Sequence, residues 1–576
     1  MAGAVVGAAF LSGFISVVSD RLISSESGNL VVSWKLLGRK LVERLKTALV
    51  AAEALIADAE QKQIGNELVR KWLDSLKDAV YTADDLLELV LYKAATQKTV
   101  RSFWLNREER QMVDKIEVVV KRIEDLARQK DILGLEKIPM YSSSWRTPST
   151  SLVKGNVYGR DDDQQALIKM LRDNNDHQLS VISIVGMGGM GKTTLAQCLY
   201  NNKDLTKGFD LKAWVCVSDN FDVIETTKKV IREISLANCS LEDFNSLQHD
   251  LIEKLSNKKF FIVLDDVWSD DADKWSNFMV PFQYGEKGSI VLLTTRDNNV
   301  TSAVQDCRSY FLNGLSENYC WLVFADNASF PQSNESTALE EIGRKIVKKC
   351  DGLPLAAETF GRLCTKHDVT QWNKILMSHI WEFNPQDSKI VLSLLMSYYR
   401  LPSYLKRCFV YCSLFPKDYY FDKDKLIFLW MAEDFLPPSS MGEISEALSE
   451  CFDELVSRLF FRKIQFHHNY FVMHNLLRDL AIFLAGEFYC NLEELGEEEE
   501  IGIQTRYLTF GRLNSPNSIA KLENLTTSLY VDGLFSMESI SSNFKWLRAL
   551  SICKLDELPD ISKSFHLRYL NLVDQY

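Results

Sequence analysis

The sequence predicts a multidomain protein in which α-helical domains flank a parallel α/β sheet. Apolar residues recur every three to four positions over about the first 135 residues, a period typical of helices. From about residue 156, short apolar strands alternate with helical stretches, which is the order of a parallel sheet with crossover helices. A glycine-rich turn at 186–194 joins the first of these strands to a helix. Because 576 residues exceed what a single core can hold, we expect about four domains.

The composition is that of an ordinary globular protein with an acidic balance. The chain is 46% hydrophobic and 25% charged, with a formal net charge of −12. This balance argues against wholesale nucleic-acid binding, so no nucleic acid is expected as a partner. The twelve cysteines stand singly, without the paired spacing of a metal site, and predict reduced thiols in a cytoplasmic protein.

The first 135 residues predict an antiparallel bundle of four helices. Apolar residues spaced by three and four mark helices over 41–59, 69–80 and 113–123. Before them, apolar residues over 6–18 mark one face of a first helix. We expect this helix to pack within the bundle, and contact with a membrane is the alternative interpretation.

A polar stretch separates the bundle from the α/β region. Residues 138–151 are rich in Ser, Thr and Pro, break the helical period and predict a linker. The apolar strands that follow lie at 181–185, 213–217, 260–264 and 290–294. The second and third are apolar almost throughout, as central strands of a parallel sheet are when both faces are buried.

The turn after the first strand has the pattern G-x-x-x-x-G-K-T. Without Cβ atoms in the way, backbone N–H groups can wrap phosphate oxygens, and the next helix adds its own unpaired donors. Lys192 would reach the β- and γ-phosphates, and the Thr193 hydroxyl would bind Mg²⁺. The sequence therefore predicts a nucleoside-phosphate site formed by Gly186, Gly188, Gly189, Gly191, Lys192, Thr193 and Thr194.

Charged residues follow the third and fourth strands. The third strand ends in Asp265 and Asp266, and carboxylates at this edge of a parallel sheet suit Mg²⁺ that also binds phosphate. We expect Asp265 to hold the metal, usually through water, and Asp266 to orient or deprotonate the attacking water. Arg296, after the fourth strand, could sense the γ-phosphate or stabilise its charge; a plain surface arginine is the alternative.

The end of the sequence predicts the start of a leucine-rich-repeat solenoid. The pattern L-x-x-L-x-[IL] begins at Leu547 and again twenty residues later at Leu567. Because the second clear repeat is the last, the chain is expected to be a truncated product or a fragment. An acidic run over 493–500 predicts a solvated loop before the repeats.

In their order along the chain, these motifs resemble those of plant intracellular immune receptors of the coiled-coil, NB-ARC, leucine-rich-repeat family, and within it the RPP13-like group. The resemblance rests on Val157–Asp161, on the strand ends at 214–218, 265–268 and 294–296, on Gly352–Leu355 and on 401–416. It implies a helical domain and a winged-helix domain after the P-loop NTPase sheet. The implied domains are 1–135 (four-helix coiled coil), 136–155 (linker), 156–315 (nucleotide-binding), 316–385 (helical), 386–490 (winged helix), 491–504 (acidic linker) and 505–576 (first repeats).

The resemblance also assigns residues that spacing alone leaves open. It implies that the adenine and ribose are surrounded by Val157, Gly159, Arg160 and Pro354. It further implies that His474 contacts ADP in a closed state. Asn475 stands where the family usually has Asp, a change that either loosens the ADP-bound state or is absorbed by a hydrogen-bonding amide.

The function implied is that of an immune receptor switched by ADP and ATP with Mg²⁺. Recognition of a pathogen effector, or of a guarded host protein, would allow nucleotide exchange, oligomerisation and defence signalling. Residues 1–135 would contact further copies or other receptors of the family, and the first helix would act at the plasma membrane. Any ATP hydrolysis would be slow and serve the switch.

An acidic segment in the third predicted helix has its own physical argument. Asp84 and Glu88 lie one turn apart, as do Asp74 and Asp78, and like charges at this spacing repel. A cationic surface from outside the bundle would relieve this repulsion, and in relatives that surface lies on the repeats. A solvated helix face is the alternative.

Two other function classes remain open from the sequence. One is an NTPase with steady turnover, such as a motor, although no pore loop or substrate site is recognisable. The other is a truncated, non-signalling adaptor or decoy that pairs with full-length receptors through its N-terminal helices. Lys192→Ala separates these classes, because it should abolish a switch and leave the pairing of an adaptor intact.

Overall fold

The computed structural model describes residues 39–62, 66–96, 107–135, 149–153, 155–172, 178–217, 221–237, 239–330, 337–366, 368–377, 389–436, 441–464, 469–492, 501–502, 504–510, 525–530, 546–553 and 566–573. The expectations for the first helix, for 138–148 and for the acidic run over 493–500 lie outside these residues. Two units are distinguished by their contacts. The first comprises Met1–Ser142, Tyr398–Leu455 and Arg462–Tyr576, and the nucleotide-binding unit comprises Ser143–Ser397 and Val456–Phe461.

Three long helices form the N-terminal part of the first unit: α1 (Arg39–Lys62), α2 (Glu67–Thr96) and α3 (Arg107–Arg128). The predicted apolar seams are buried, with Leu45, Val80 and Ile123 all at most 1% exposed. The indole nitrogen of Trp72 donates a 2.9 Å hydrogen bond to the carbonyl oxygen of Leu126 and so ties α2 to α3. Three of the four predicted helices are therefore present.

A five-stranded parallel sheet forms the centre of the nucleotide-binding unit. Its strands are β1 (Leu179–Val185), β2 (Leu211–Cys216), β3 (Phe260–Val267), β4 (Ser289–Thr295) and β5 (Cys307–Phe311), in the order β2-β3-β4-β1-β5. The four predicted strands are confirmed. The edge strand β5 was missed because its residues are only half-buried and lack an apolar run.

Helices connect these strands and cover the sheet: α4 (Asp161–Arg172), α5 (Lys192–Asn201), α6 (Lys203–Thr206), α7 (Val223–Ser235), α8 (Phe244–Leu255), α9 (Ala272–Met279) and α10 (Asn298–Ala303). The aspartate that precedes each of the helices α7 to α10 accepts one N–H group of the first turn, which fixes where the helix begins. Since β4 lies between β1 and β3, the loops after these three strands meet at one edge of the sheet.

A set of short helices follows the sheet: α11 (Glu317–Asn327), α12 (Thr337–Lys349), α13 (Pro354–Leu363), α14 (Val369–Met377) and α15 (Lys389–Tyr399). Pro354 occupies the first turn of α13, where its missing N–H costs nothing. The ring of Trp372 packs edge-on against Phe324, with centroids 5.5 Å apart, and joins α14 to α11.

The first unit continues with a winged-helix domain: α16 (Ser403–Tyr411), β6 (Phe421–Asp422), α17 (Lys423–Ala432), α18 (Met441–Ser457), β7 (Arg462–Lys463), β8 (Tyr470–Val472) and α19 (Asn475–Ala485). Its three strands form an antiparallel sheet in the order β6-β8-β7. Among the described residues, no helix is long and apolar enough to cross a bilayer.

The last five strands form a parallel ladder: β9 (Tyr489–Asn491), β10 (Tyr507–Phe510), β11 (Thr527–Tyr530), β12 (Ala549–Cys553) and β13 (Tyr569–Val573). Neighbours pair in register, so the residues just before β10, β11, β12 and β13 stack in one column, namely Arg506, Thr526, Arg548 and Arg568. We call Arg506, Arg548 and Arg568 the arginine column. The ladder has the geometry expected of a solenoid, and its assignment as leucine-rich repeats stays a prediction.

Candidate nucleotide-binding site

The loop between β1 and α5 has a backbone that only glycine adopts readily. Gly189 and Gly191 have φ angles of +83° and +93°, in the left-handed region. A Cβ on Gly188 would lie 2.5 Å from Nη1 of Arg296 and 2.7 Å from Oγ of Ser393. The predicted loop therefore forms, and its glycines leave room for close neighbours that side chains would displace.

Lys192 turns its ammonium group back into this loop. Its Nζ donates to the carbonyl oxygens of Gly186 and Met187, at 2.7 and 3.0 Å. Burial, and after it the nearby charge of Arg296, lower the pKa of Lys192 to about 7, although the charges of Asp266 and Asp265 oppose the shift. A buried cation held only by neutral carbonyls would gain from an anionic ligand, as a phosphate-binding lysine does.

Thr193 and Asp265 come together as the sequence predicts. The Thr193 hydroxyl donates to the Asp265 carboxylate, with oxygen–oxygen distances of 2.9 and 3.2 Å. Thr294 donates to the same carboxylate at 2.6 Å. Burial raises the pKa of Asp265, whereas hydroxyl groups from Ser149, Thr294 and Thr193 counteract this shift. Sequence reasoning missed Ser149 and Thr294, because single hydroxyls in a linker and at a strand end carry no pattern.

Asp266 and Arg296 form a second pair beside the loop. Arg296 Nε lies 3.6 Å from Asp266 Oδ1, and its guanidinium lies 5.1 Å from the ring centre of Trp268. Arg296 Nη1 donates to the Ser393 carbonyl oxygen at 2.8 Å, on helix α15. Arg296 is thus no isolated surface residue, and Ser393 is a partner that the sequence did not indicate.

Of the residues expected around the base, Arg160 contacts the loop directly and Pro354 precedes a residue that does. Arg160 donates from Nη2 to the Met190 carbonyl oxygen at 2.8 Å, and the Leu355 N–H donates to that of Gly189 at 3.3 Å. Gly159 has a φ of +63°, and a Cβ there would meet the ring of Tyr319 at 2.5 Å. Pro354 precedes Leu355, and Val157 and Thr194 are half-buried. Their contacts with a base or phosphate stay predictions.

His474 belongs to the first unit, where its Nδ1 accepts the N–H of Leu476 at 3.2 Å and caps α19. Its role toward ADP stays a prediction. The amide nitrogen of Asn475 donates to Oδ1 of Asp418 at 3.3 Å. The sequence left two alternatives for Asn475: loss of the charge loosens the ADP-bound state, or a hydrogen-bonding amide compensates for it. This hydrogen bond favours the second alternative.

The loop residues fit a di- or triphosphate with a divalent cation. Glycine N–H groups and Lys192 supply donors, and Thr193 with Asp265 supplies hard oxygen ligands. No group of three or more His, Cys, Asp or Glu that could hold a metal occurs in the described part of the chain. A cation here would therefore depend on phosphate and water oxygens as well, which is how Mg²⁺ usually binds.

The acidic segment on α2 meets cations of the arginine column. Asp84 Oδ2 lies 3.1 Å from Arg548 Nη2, and Asp85 Oδ2 lies 2.8 Å from Arg506 Nη2. Asp78 pairs instead with Arg122 of α3, at 2.8 Å. The prediction of a cationic partner from outside the bundle is confirmed for Asp84. The side chain of Glu88 lies outside the part of the chain that the structure describes, so its partner stays a prediction.

Three family models match the chain. Residues 10–129 match the Rx N-terminal domain, 160–335 the NB-ARC domain and 414–481 the disease resistance protein winged helix domain. An RPP13-like disease resistance protein of Arabidopsis thaliana is 35% identical over 98% of this chain and 58% of its own length. The disease resistance protein RGA2 of Solanum bulbocastanum is 36% identical over 84% of this chain and 51% of its own length.

The chain thus spans little more than half the length of these curated relatives. Among solved structures, an Aeropyrum pernix ORC1 protein in complex with DNA aligns with 57% of this chain and 92% of its own, at 11% identity. Its TM-score of 0.30 is too low to support an argument. The family matches and the loop geometry identify a nucleotide-binding domain.

Proposed function

Because this chain belongs to the plant disease resistance proteins that combine an Rx N-terminal domain with an NB-ARC domain, we propose that it is an immune receptor switched by ADP and ATP. The site would bind ADP in the resting state, with Mg²⁺ between the phosphates, Thr193 and Asp265. Exchange for ATP would favour a second conformation, since the two nucleotides differ only in the γ-phosphate.

The observation that carries the proposal is the position of Arg296. Its guanidinium leaves the end of β4 and binds the Ser393 carbonyl oxygen on α15, 2.8 Å away. A γ-phosphate near Lys192 would attract the same cation and compete with that neutral acceptor. Nucleotide identity would thereby decide whether β4 and α15 stay joined, which is what a switch requires.

The proposal extends to the parts of the chain outside the nucleotide site. The buried pairs of Asp84 and Asp85 with the arginine column support a resting state in which α2 is held within the first unit. Release of these helices would let them contact further copies, other receptors or the plasma membrane. The trigger would be a pathogen effector or a guarded host protein, and cytoplasmic location follows from that role.

The test is the nucleotide content of the purified full chain, released by denaturation and identified by chromatography. We expect ADP at close to one equivalent in the unaltered protein. Lys192→Ala should lose it, whereas Lys207→Ala, at an exposed lysine of the same domain, should retain it. An empty site, or equal ADP in both variants, would refute the proposed switch. Steady turnover of several ATP per second would favour a motor-like NTPase instead.

A further inference from the structure

The guanidinium of Arg160 contacts two other segments of the nucleotide-binding unit. Its Nη2 donates to the Met190 carbonyl oxygen, in the loop between β1 and α5, at 2.8 Å. Its Nη1 donates to the carbonyl oxygen of Asn313, just beyond β5, at 2.8 Å. The side chain is only 6% exposed, and the backbone carbonyl oxygen of Arg160 accepts the N–H of Gln164 in the first turn of α4. Arg160 thus connects the start of α4 with the phosphate-binding loop.

Asp163 fixes the direction of this guanidinium. Its Oδ2 accepts from Arg160 Nη1 at 2.9 Å, and its Oδ1 accepts from the Tyr310 hydroxyl at 2.6 Å. Each carboxylate oxygen therefore has its own donor, and the carboxylate cannot turn without losing one of them. Because the N–H groups of a guanidinium form a rigid planar fork, a fixed Nη1 also fixes where Nη2 points. Burial, and after it the contact with Asp163, raise the pKa of Tyr310, so its hydroxyl remains a donor.

Tyr310 anchors this arrangement to the central sheet. It lies in β5, where it is the register partner of Ile184 in β1. The phosphate-binding loop begins two residues after Ile184, at Gly186. Tyr310, Asp163 and Arg160 therefore form a continuous series of hydrogen bonds that starts in the sheet beside one end of the loop and reaches the Met190 carbonyl oxygen at its other end.

The Met190 carbonyl oxygen sets the direction of a backbone donor. Met190 is joined to Gly191 by a trans peptide, in which the C=O and N–H groups point in opposite directions. As long as Arg160 holds the carbonyl oxygen, the Gly191 N–H points away from Arg160. Gly191 directly precedes Lys192, and the N–H groups of a P-loop bind the α- and β-phosphates. One phosphate donor is thus oriented before a nucleotide binds.

We infer that Asp163 and Tyr310 are positioning residues for the phosphates of the nucleotide: they hold Arg160 on the Met190 carbonyl oxygen, which orients the Gly191 N–H for the β-phosphate. The inference rests on the proposed nucleotide site, and it adds a role of Arg160 at the phosphates to the one expected beside the adenine and ribose. Both residues act through Arg160. Loss of either should weaken the contribution of the β-phosphate to affinity and leave that of the base and ribose unchanged.

The test measures how ADP and AMP displace a fluorescent ADP analogue from the full chain. AMP lacks the β-phosphate, so the ratio of the two dissociation constants reports the gain from that phosphate. We expect Asp163→Ala to reduce this gain about tenfold and Tyr310→Phe about threefold, while the affinity for AMP stays unchanged. Asp162→Ala is the matched control, because it removes an exposed carboxylate from the same helical turn and should keep the full gain.

A double variant separates this role from packing. In Arg160→Met, which has no guanidinium for Asp163 to hold, the added change Asp163→Ala should reduce the gain no further. A further tenfold loss in that background, or an equal loss for ADP and AMP, would overturn the inference. So would an unchanged gain in Tyr310→Phe, which keeps the ring and decides the question if Asp163→Ala does not fold. If the unaltered chain binds ADP no better than AMP, the proposed nucleotide site fails first, and the inference with it.

Discussion

Arg548 and Asp84 form a buried ion pair with 3.1 Å between Nη2 and Oδ2, although 464 positions separate them in the sequence. The same guanidinium lies 3.5 Å from Oε2 of Glu433, which follows α17. The three side chains are at most 4% exposed. One arginine of the ladder thus neutralises a carboxylate on the N-terminal helices and another in the winged-helix domain.

We expect Arg548→Gln to be more damaging than Asp84→Asn. The first removes a buried cation from both Asp84 and Glu433, at about 3–5 kcal/mol, whereas the second leaves Arg548 its ion pair with Glu433. A double variant with the cation at position 84 and the carboxylate at position 548 should not restore stability, because the carboxylate at 548 would lie beside Glu433 and repel it. Thermal unfolding of the full chain measures these differences. Arg122→Gln is the control, because its pair with Asp78 is partly exposed and contributes about 1 kcal/mol or less.

Asp74 predicts a pH dependence of stability with a definite sign. Its Oδ1 is buried without a hydrogen-bond partner among the described residues, and burial raises its pKa from 3.8 to about 6. Because the unfolded chain ionises this group more easily, stability falls as the pH rises through this interval. Asp74→Asn should therefore stabilise the protein at pH 7.5 by roughly 1 kcal/mol, after allowance for its partial exposure.

Unfolding midpoints of Asp74→Asn and the unaltered chain should converge below about pH 4, where the carboxyl is protonated in both states. Asp78→Asn provides the contrast, because Asp78 has Arg122 as partner and its loss should bring no gain. A constant difference between Asp74→Asn and the parent across this pH range would contradict the assignment.

Gly188→Ala tests the bond of Arg296 with α15. The added methyl group would approach the ends of two side chains, Arg296 and Ser393, which can move aside at little cost to the fold. Loss of that hydrogen bond should speed the release of ADP by about three- to tenfold, as expected for roughly 1 kcal/mol. Release is followed with a fluorescent ADP analogue. Gly208→Ala, where a Cβ meets open space, should match the parent rate.

Asn475→Asp introduces the residue that the family usually carries, and here we expect it to destabilise. The side chain at 475 lies 3.3 Å from the Asp418 carboxylate, so a second negative charge would repel the first. The cost should be about 1 kcal/mol or less, because the pair is exposed. Adding Asp418→Asn should restore the unfolding midpoint, and failure to do so would point to other contacts of Asn475.

The elements with a strong local pattern could be predicted, and those set by remote partners could not. The run Phe260–Leu264 and the turn up to Lys192 reveal their structure because apolar burial and glycine spacing are local signals. The edge strand β5 lacks such a run. The hydrogen bonds of Gln197 and Asn201 with the carbonyl oxygens of Thr150 and Ser151 depend on how a polar segment folds back onto α5, and no spacing in the sequence indicates them.

The acidic segment is an intermediate case. Repulsion between like charges on α2 indicates that a cation is needed, but the sequence does not say which one. Arg506 and Arg548 become neighbours only through the register of the ladder, in which Arg506 stacks on Thr526 and Thr526 on Arg548. The need for a cationic partner was therefore predictable from the sequence, whereas the residues that supply it could be identified only from the fold.

The register of the ladder also limits how this region can change its number of strands. Arg506 and Arg548 are separated by one intervening strand, or roughly 10 Å at the usual strand spacing. Their carboxylate partners are consecutive residues of a single helix and cannot follow a shift. Recombination that added or removed one strand unit between them would leave the sheet continuous but would separate a buried pair. The number of strands between Arg506 and Arg548 is thus constrained by their ion pairs with helix α2, more than four hundred residues earlier in the sequence.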